Sequence, residues 1–242
     1  MIIYILLMAH FLADFTFQTT KLAQKKFNEF KYLVFHALIY AGTFLIAIFP
    51  FVKFSRAIFV YFIIVSSHFF IDWIRMFVDK KLCSKSAIFA TFIVDQILHV
   101  LIVTILYYVF GLDSITTALY GHVKQWPHFS RLVIYSLIFV IIWDPAAVFI
   151  KKLFCYVIEG NSCIHDESDP QIGRIIGKLE RLIISVLVLC NQFGAIGFVL
   201  TAKSIARYKQ LEDRNFAEKY LVGTLTSALI AFITTIVLKQ CI

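Results

Sequence analysis

Apolar blocks close to 20 residues long follow one another along this chain, separated only by short polar stretches. A helix needs about 20 such residues to cross the hydrocarbon core of a bilayer. The blocks fall at about 1–18, 32–50, 57–78, 87–110, 131–154, 173–202 and 219–238. The expected fold is therefore all-α: a polytopic helical membrane protein with about seven transmembrane helices, within a range of six to eight. Sixty per cent of the 242 residues are hydrophobic and 26 are Phe, against roughly 45–50% apolar in a soluble domain. No linker or internal repeat splits the chain, so one integral membrane domain over 1–242 is expected.

The formal net charge is +8, with the basic residues gathered between the apolar blocks. Basic loops set membrane topology and attract anionic lipid. No soluble basic module is left over, which excludes nucleic-acid binding. Lys21, Lys25, Lys26 and Lys31 follow the first segment, and Arg75, Lys80, Lys81 and Lys85 follow the third, against about two basic residues after the second and fourth. The positive-inside rule puts the first and third loops in the cytoplasm. Lys203, Arg207, Lys209, Arg214 and Lys219 would then face outward, so either a late segment is re-entrant or the span count is off by one. The expected location is a bacterial cytoplasmic membrane. The five cysteines (83, 155, 163, 190, 241) are odd in number and lack a C-x-x-C, so no disulfide framework is implied. The N-terminus lacks a basic region before its apolar run and reads as mature sequence.

Polar residues inside the blocks carry the chemistry. His10, Asp14 and Gln18 recur every four positions in the first segment. His36 opens the second, His68 and Asp72 lie late in the third, and Asp95, Gln96 and His99 lie early in the fourth. Pairs four apart share one helix face. Because successive segments alternate direction, all these residues fall at one membrane level, on the side of the first and third loops. An Asp at a helix centre costs roughly 2.5–3.5 kcal/mol on insertion scales, and such groups usually mark functional sites. Imidazole with carboxylate suits a divalent metal, zinc foremost, with iron or manganese as alternatives. The expected ligands are His10, His36, His68, Asp72 and His99. Asp14 or Asp95 would act as general base, with Gln18 and Gln96 orienting the ligands. Two other readings stay open: interhelical His–Asp bonds that fix packing, and a proton or ion pathway. His122, His128 and His165 read as solvated, and Cys163-x-His165-Asp166 is a metal-site fragment without a partner.

A second polar set lies in the last third. Lys203, Ser204 and Arg207, with Arg181, have the chemistry to hold an anionic group such as a lipid phosphate, although basic residues at helix ends also snorkel to head groups. Glu180 and Glu218 are the expected ion-pair partners. Trp143-Asp144-Pro145 interrupts the fifth segment and predicts a kink, and 156–172 is the most polar and mobile loop. Gly173, Gly177, Gly194 and Gly197 offer a small-residue face for a homo-oligomer, and an unidentified cytoplasmic partner is a further possibility.

At these residues the chain resembles an uncharacterised bacterial membrane-protein family, a domain of unknown function. Its Ala-His-Leu-x-x-Asp-Phe-x-x-Gln-type signature is matched by Ala9-His10-Phe11-Leu12-Ala13-Asp14-Phe15-Thr16-Phe17-Gln18, with Phe11 ahead of Leu12 as one departure. The resemblance continues through His36, His68-x-x-x-Asp72 and Asp95-Gln96-x-x-His99. It implies that these polar residues belong together, and implies no activity. In chemistry alone the set is similar to seven-span intramembrane zinc hydrolases of the ceramidase and adiponectin-receptor kind. The expected function is a metal-dependent hydrolase acting on a lipid or lipid-linked substrate near the cytoplasmic leaflet. The alternatives are a divalent-ion or proton transporter using the same residues, and a non-catalytic membrane partner or anchor.

Overall fold

A computed structural model describes residues 1–26, 29–82, 84–157 and 171–242. Cys83, Cys163, His165, Asp166 and most of the polar stretch 156–172 lie outside the described residues. The helices are α1 (Ile2–Phe11), which runs into a π-helical turn (Leu12–Thr16), α2 (Thr20–Lys25), α3 (Phe30–Ile48), α4 (Phe54–Lys81), α5 (Lys85–Val109), α6 (Ala118–Lys124), α7 (Phe129–Val157), α8 (Gln171–Leu189), α9 (Phe193–Ala206) and α10 (Arg214–Lys239). Among the described residues the fold is all-helical, and α3, α4, α5, α7 and α10 are long and apolar enough to cross a membrane.

The first and sixth expected spans fall outside that set. The first is a short apolar helix, Ile2–Thr16. The sixth, read as one segment over 173–202, breaks at Cys190–Gln192 into α8 and α9. Asn191 there takes a left-handed backbone (φ 59°), which Asn tolerates better than most residues. Lys239 donates from Nζ to the carbonyls of Val188 and Leu189 and to Asn191 Oδ1. These are carbonyls that the end of α8 leaves without intrahelical donors, and a lysine suits that negative helix end.

The chain divides into two compact units, Met1–Leu137 and Ile138–Ile242. In the first, α1, α3, α4 and α5 pack around a core that includes Ile2, Leu6, Phe44, Ile48, Val60, Ile64 and Val103. Their lipid-type exteriors carry Phe35, Leu38, Ile46, Phe59, Phe62 and Ile97 on the surface, as expected where the solvent is acyl chain. The end of the unit away from the His/Asp residues is closed by backbone bonds. Lys53 N donates to the Ile115 carbonyl and Thr117 N to the Phe51 carbonyl, while Thr117 Oγ1 donates to the Pro50 carbonyl at 2.6 Å. Gly111, at φ 56°, ends α5 in the left-handed conformation that glycine adopts without steric cost.

In the second unit, α8 packs along α10 over Ile184, Val188 and Ala231. α7 runs on as helix through Pro145. Arg181 meets the turn before that proline, donating from Nε to the Ile142 carbonyl at 2.6 Å and from Nη2 to the Trp143 carbonyl at 3.2 Å. These carbonyls, with Ser227 Oγ, supply the buried guanidinium with acceptors.

Candidate functional site

The site grows from α1, its π-turn, α3, α4 and α5. The π-turn closes on a Phe17 N–H to Leu12 carbonyl bond of 2.8 Å, and the widened helix carries Asp14 inward. Such turns recur at functional sites. His36 and Tyr40 lie one turn apart on the buried face of α3, His68 and Asp72 likewise on α4, and Asp95 and His99 on α5. His10, His36, His68, Asp72, Asp95 and His99 are each under 4% exposed, and Asp14 is 7% exposed.

The separations are short. His36 Nε2 lies 3.1 Å from His68 Nε2, 3.3 Å from Asp14 Oδ1 and 3.3 Å from Asp72 Oδ2. His68 Nε2 lies 3.5 Å from each of the same two carboxylate oxygens. Two imidazole nitrogens this close have two arrangements: one N–H donates to the other's lone pair, or both lone pairs face a shared cation. Ligand atoms about 2.0–2.1 Å from a tetrahedral zinc lie about 3.3–3.4 Å from one another, and the three distances joining His36 Nε2 and His68 Nε2 to either carboxylate oxygen are of that size. Asp14, His36 and His68 form one group able to hold a metal, and His68, Asp72 and His99 a second.

The surroundings fix these groups and charge them. The His68 ring lies flat on Tyr40, centroids 3.5 Å apart, and His99 sits 4.4 Å from it. His10 stacks against His99 and approaches the Tyr40 hydroxyl at 3.4 Å and Asp14 Oδ2 at 3.9 Å. Gln96 Nε2 donates to Asp95 Oδ2 at 3.0 Å and Asp14 Oδ2 at 3.4 Å. Gln18, with its amide nitrogen toward the Asp14 carbonyl at 2.7 Å, turns its oxygen to Lys26 Nζ at 3.1 Å. Lys26 Nζ donates to Asp72 Oδ2 at 2.9 Å, and Arg75 Nη1 donates to Asp95 Oδ2 at 2.7 Å. Three buried carboxylates (Asp14, Asp72, Asp95) thus face two buried cations (Lys26, Arg75). With neutral imidazoles the cluster carries one excess negative charge, which a low-dielectric interior does not tolerate without compensation. Among the described residues, the far nitrogens of the central pair, His36 Nδ1 and His68 Nδ1, have no hydrogen-bond partner, nor does either ring nitrogen of His99. Metal-bound imidazoles ordinarily donate from that second nitrogen, and here the central pair does not.

All seven expected His and Asp side chains and both glutamines come together. Asp14, read as a base, lies against His36 and His68, and Asp95, the other base, is held by Arg75. Four contributors went unread. Lys26 and Arg75 stand in sequence among the basic residues that follow the first and third segments. Tyr40 had a signal, its place one turn after His36. The fourth, Asp79, accepts from Arg75 and from Thr91 Oγ1. In the second unit, Lys203 donates to Glu180 at 2.6 Å and to Thr224 at 3.1 Å. Ser204 donates to the Leu200 carbonyl, Arg181 is spent on carbonyls and Ser227, and Glu218 pairs with Arg214 on the surface. Arg207 ends α9. Lys203, Ser204, Arg181, Glu180 and Glu218 are thus engaged within the protein.

Among the described residues, helices alone, five of them of membrane length, and an enclosed His/Asp cluster define a class of helical membrane protein. The family described as Protein of unknown function (DUF3307) matches residues 2–129, and the chain belongs to it. That match spans every His and Asp of the cluster. No curated protein and no solved structure matches the chain.

Proposed function

We propose that this protein is an intramembrane metal-dependent hydrolase of the bacterial cytoplasmic membrane, acting on a lipid or lipid-linked substrate near the cytoplasmic leaflet. The observation that supports it is the set of five nitrogen–oxygen and nitrogen–nitrogen distances of 3.1–3.5 Å among His36, His68, Asp14 and Asp72. A divalent ion, zinc first by ligand type, would be held by the two imidazoles with Asp14 or Asp72 and would supply Lewis acidity and a water-derived nucleophile near neutral pH. His99, with neither ring nitrogen bonded and its ring 4.4 Å from that of His68, is the group placed to take up and return a proton. Gln96 keeps Asp14 oriented from outside the shell. The outer flank of α3 and α4 carries an apolar groove of about 370 Å³, lined by Val34, Ala37, Leu38, Ala41, Val65, Ser66, Phe69 and Phe70, where an acyl chain would lie beside the cluster.

One observation favours a second reading. The groove includes none of the His or Asp residues, and their burial admits a small ion more readily than an ester. A divalent-ion or proton carrier would use the same groups transiently.

The first test is metal content of detergent-purified protein by mass spectrometry, beside His68→Ala and Asp72→Ala. The expected result is near one equivalent of metal in the wild type and its loss in both variants. Folded wild-type protein that stays metal-free after metal is supplied would refute a metal centre. Cleavage products from vesicles of bacterial lipid, formed by loaded and not by chelated protein, separate the hydrolase from the carrier; the carrier instead gives ion flux in proteoliposomes without lipid turnover.

A further inference from the structure

Lys26 is the least expected member of the cluster. It follows directly on α2, a six-residue helix whose described buried residue is Leu22, in a stretch the topology argument places outside the membrane. Its ammonium nevertheless reaches inward, is 6% exposed, and contacts Asp72 Oδ2 at 2.9 Å and the Gln18 amide oxygen at 3.1 Å. Lysines near membrane boundaries ordinarily extend toward the head groups, so a buried ammonium requires a specific attraction. That attraction is the carboxylate oxygen that also lies 3.3 Å from His36 Nε2 and 3.5 Å from His68 Nε2.

One oxygen is therefore shared by a resident ammonium and by the ligand shell. A divalent ion seated on the two imidazoles and Asp72 Oδ2 would stand only a ligand's width from Lys26 Nζ, and two cations at that distance in a weakly screening interior repel strongly. We propose that Lys26 is a tethered cation that compensates Asp72 while no metal is bound and withdraws when a metal enters, so that the segment carrying it regulates loading of the site. This rests on the metal reading above. The short α2, held by little apolar burial, is the part able to move; its neighbours Lys21 and Lys25 are already at the surface.

Two measurements test it. Zinc affinity, read by competition with a chromogenic chelator, is expected to rise at least about tenfold in Lys26→Met, which keeps the length of the side chain and removes its charge. In the wild type, an amine-reactive acetylating reagent followed by peptide mass spectrometry should label Lys26 far more slowly than Lys21 or Lys25 without metal, and at a similar rate to them once zinc is saturating. The labelling needs no variant, so it decides the matter even if Lys26→Met folds poorly. Unchanged or weaker zinc affinity in Lys26→Met, or Lys26 equally protected with and without zinc, overturns the proposal. If the wild type still takes up one equivalent of zinc, the metal centre survives that failure; if neither protein binds zinc, both fall.

Discussion

Replacing Arg75 by Met tests whether the cluster is held by paired charges. Arg75 is 8% exposed, its Nη1 lies 2.7 Å from Asp95 Oδ2, and its guanidinium lies over the Phe92 ring at 5.6 Å. Charge centres about 4 Å apart interact by about 4 kcal/mol at an effective dielectric constant near 20. Breaking a buried pair by removing one partner costs about 3–5 kcal/mol, because the other charge is stranded. Among the described residues Asp95 Oδ1 already lacks a hydrogen-bond partner, so the stranded carboxylate keeps its Gln96 donor and His99 Nδ1 at 3.9 Å. Asp79 adds little, since it is partly exposed and retains Thr91. The expected loss for Arg75→Met is about 3–4 kcal/mol, a change on the order of a hundredfold or more in the folded-to-unfolded ratio. Met preserves most of the stem packing, so the loss should be electrostatic. Arg75→Met with Asp95→Asn, which keeps an acceptor for Gln96 and removes the charge, should therefore recover to within about 1 kcal/mol of wild type. The assay is reversible unfolding in mixed micelles followed by helical circular dichroism, analysed as a double-mutant cycle. A loss below about 1 kcal/mol in the single variant, or no recovery in the double, would refute the reasoning.

Two further predictions concern positions away from the cluster. Tyr120, on α6, is 2% exposed, and its hydroxyl has no hydrogen-bond partner among the described residues; burial, and then the charge of Asp113, push its phenol up to about 12. Between the ordinary value near 10 and that value the unfolded chain loses the proton first, so Tyr120 supports the fold below about pH 10 and that support is lost as the pH rises toward 12. Tyr120→Phe should remove this alkaline component and leave neutral-pH stability unchanged or higher by up to about 1 kcal/mol; a pH series of melting temperatures in detergent checks both. A Cβ on Gly223 would stand 2.7 Å from Phe154 Cζ and 3.0 Å from Cε2. Gly223→Ala should cost about 1–3 kcal/mol by overpacking, and Phe154→Leu in the same chain should relieve it; equal melting temperatures for Gly223→Ala and wild type would show that the ring simply moves aside.

The polar pattern was legible because helix geometry is local. His68 and Asp72 share a face by their spacing alone, and the alternating direction of successive helices was enough to put Asp14, His36, Asp72 and His99 at one depth. The break at Cys190–Gln192 was not legible. An apolar run does not say whether its backbone turns, and the left-handed Asn191 is stabilised in part by Lys239, 48 residues away. The second polar set reads differently for the same reason. Lys203 and Arg181 present ligand chemistry in sequence, yet Glu180, Thr224 and two α7 carbonyls use their donors in the fold.

Composition and period by themselves determined that the chain is helical, that membrane-length apolar helices make up most of it, and which imidazoles and carboxylates those helices carry inward. These follow from the energetics of single helices: apolar length, and the cost of a lone ionised group among apolar neighbours. Only the tertiary structure decided that His36 and His68 meet nitrogen to nitrogen, that Asp14 joins them, and that Lys26 and Arg75 turn inward. Such distances depend on which helices pack together, and a lysine's four-carbon stem lets its charge reach either the head groups or a buried carboxylate. The charge it finds inside decides between them.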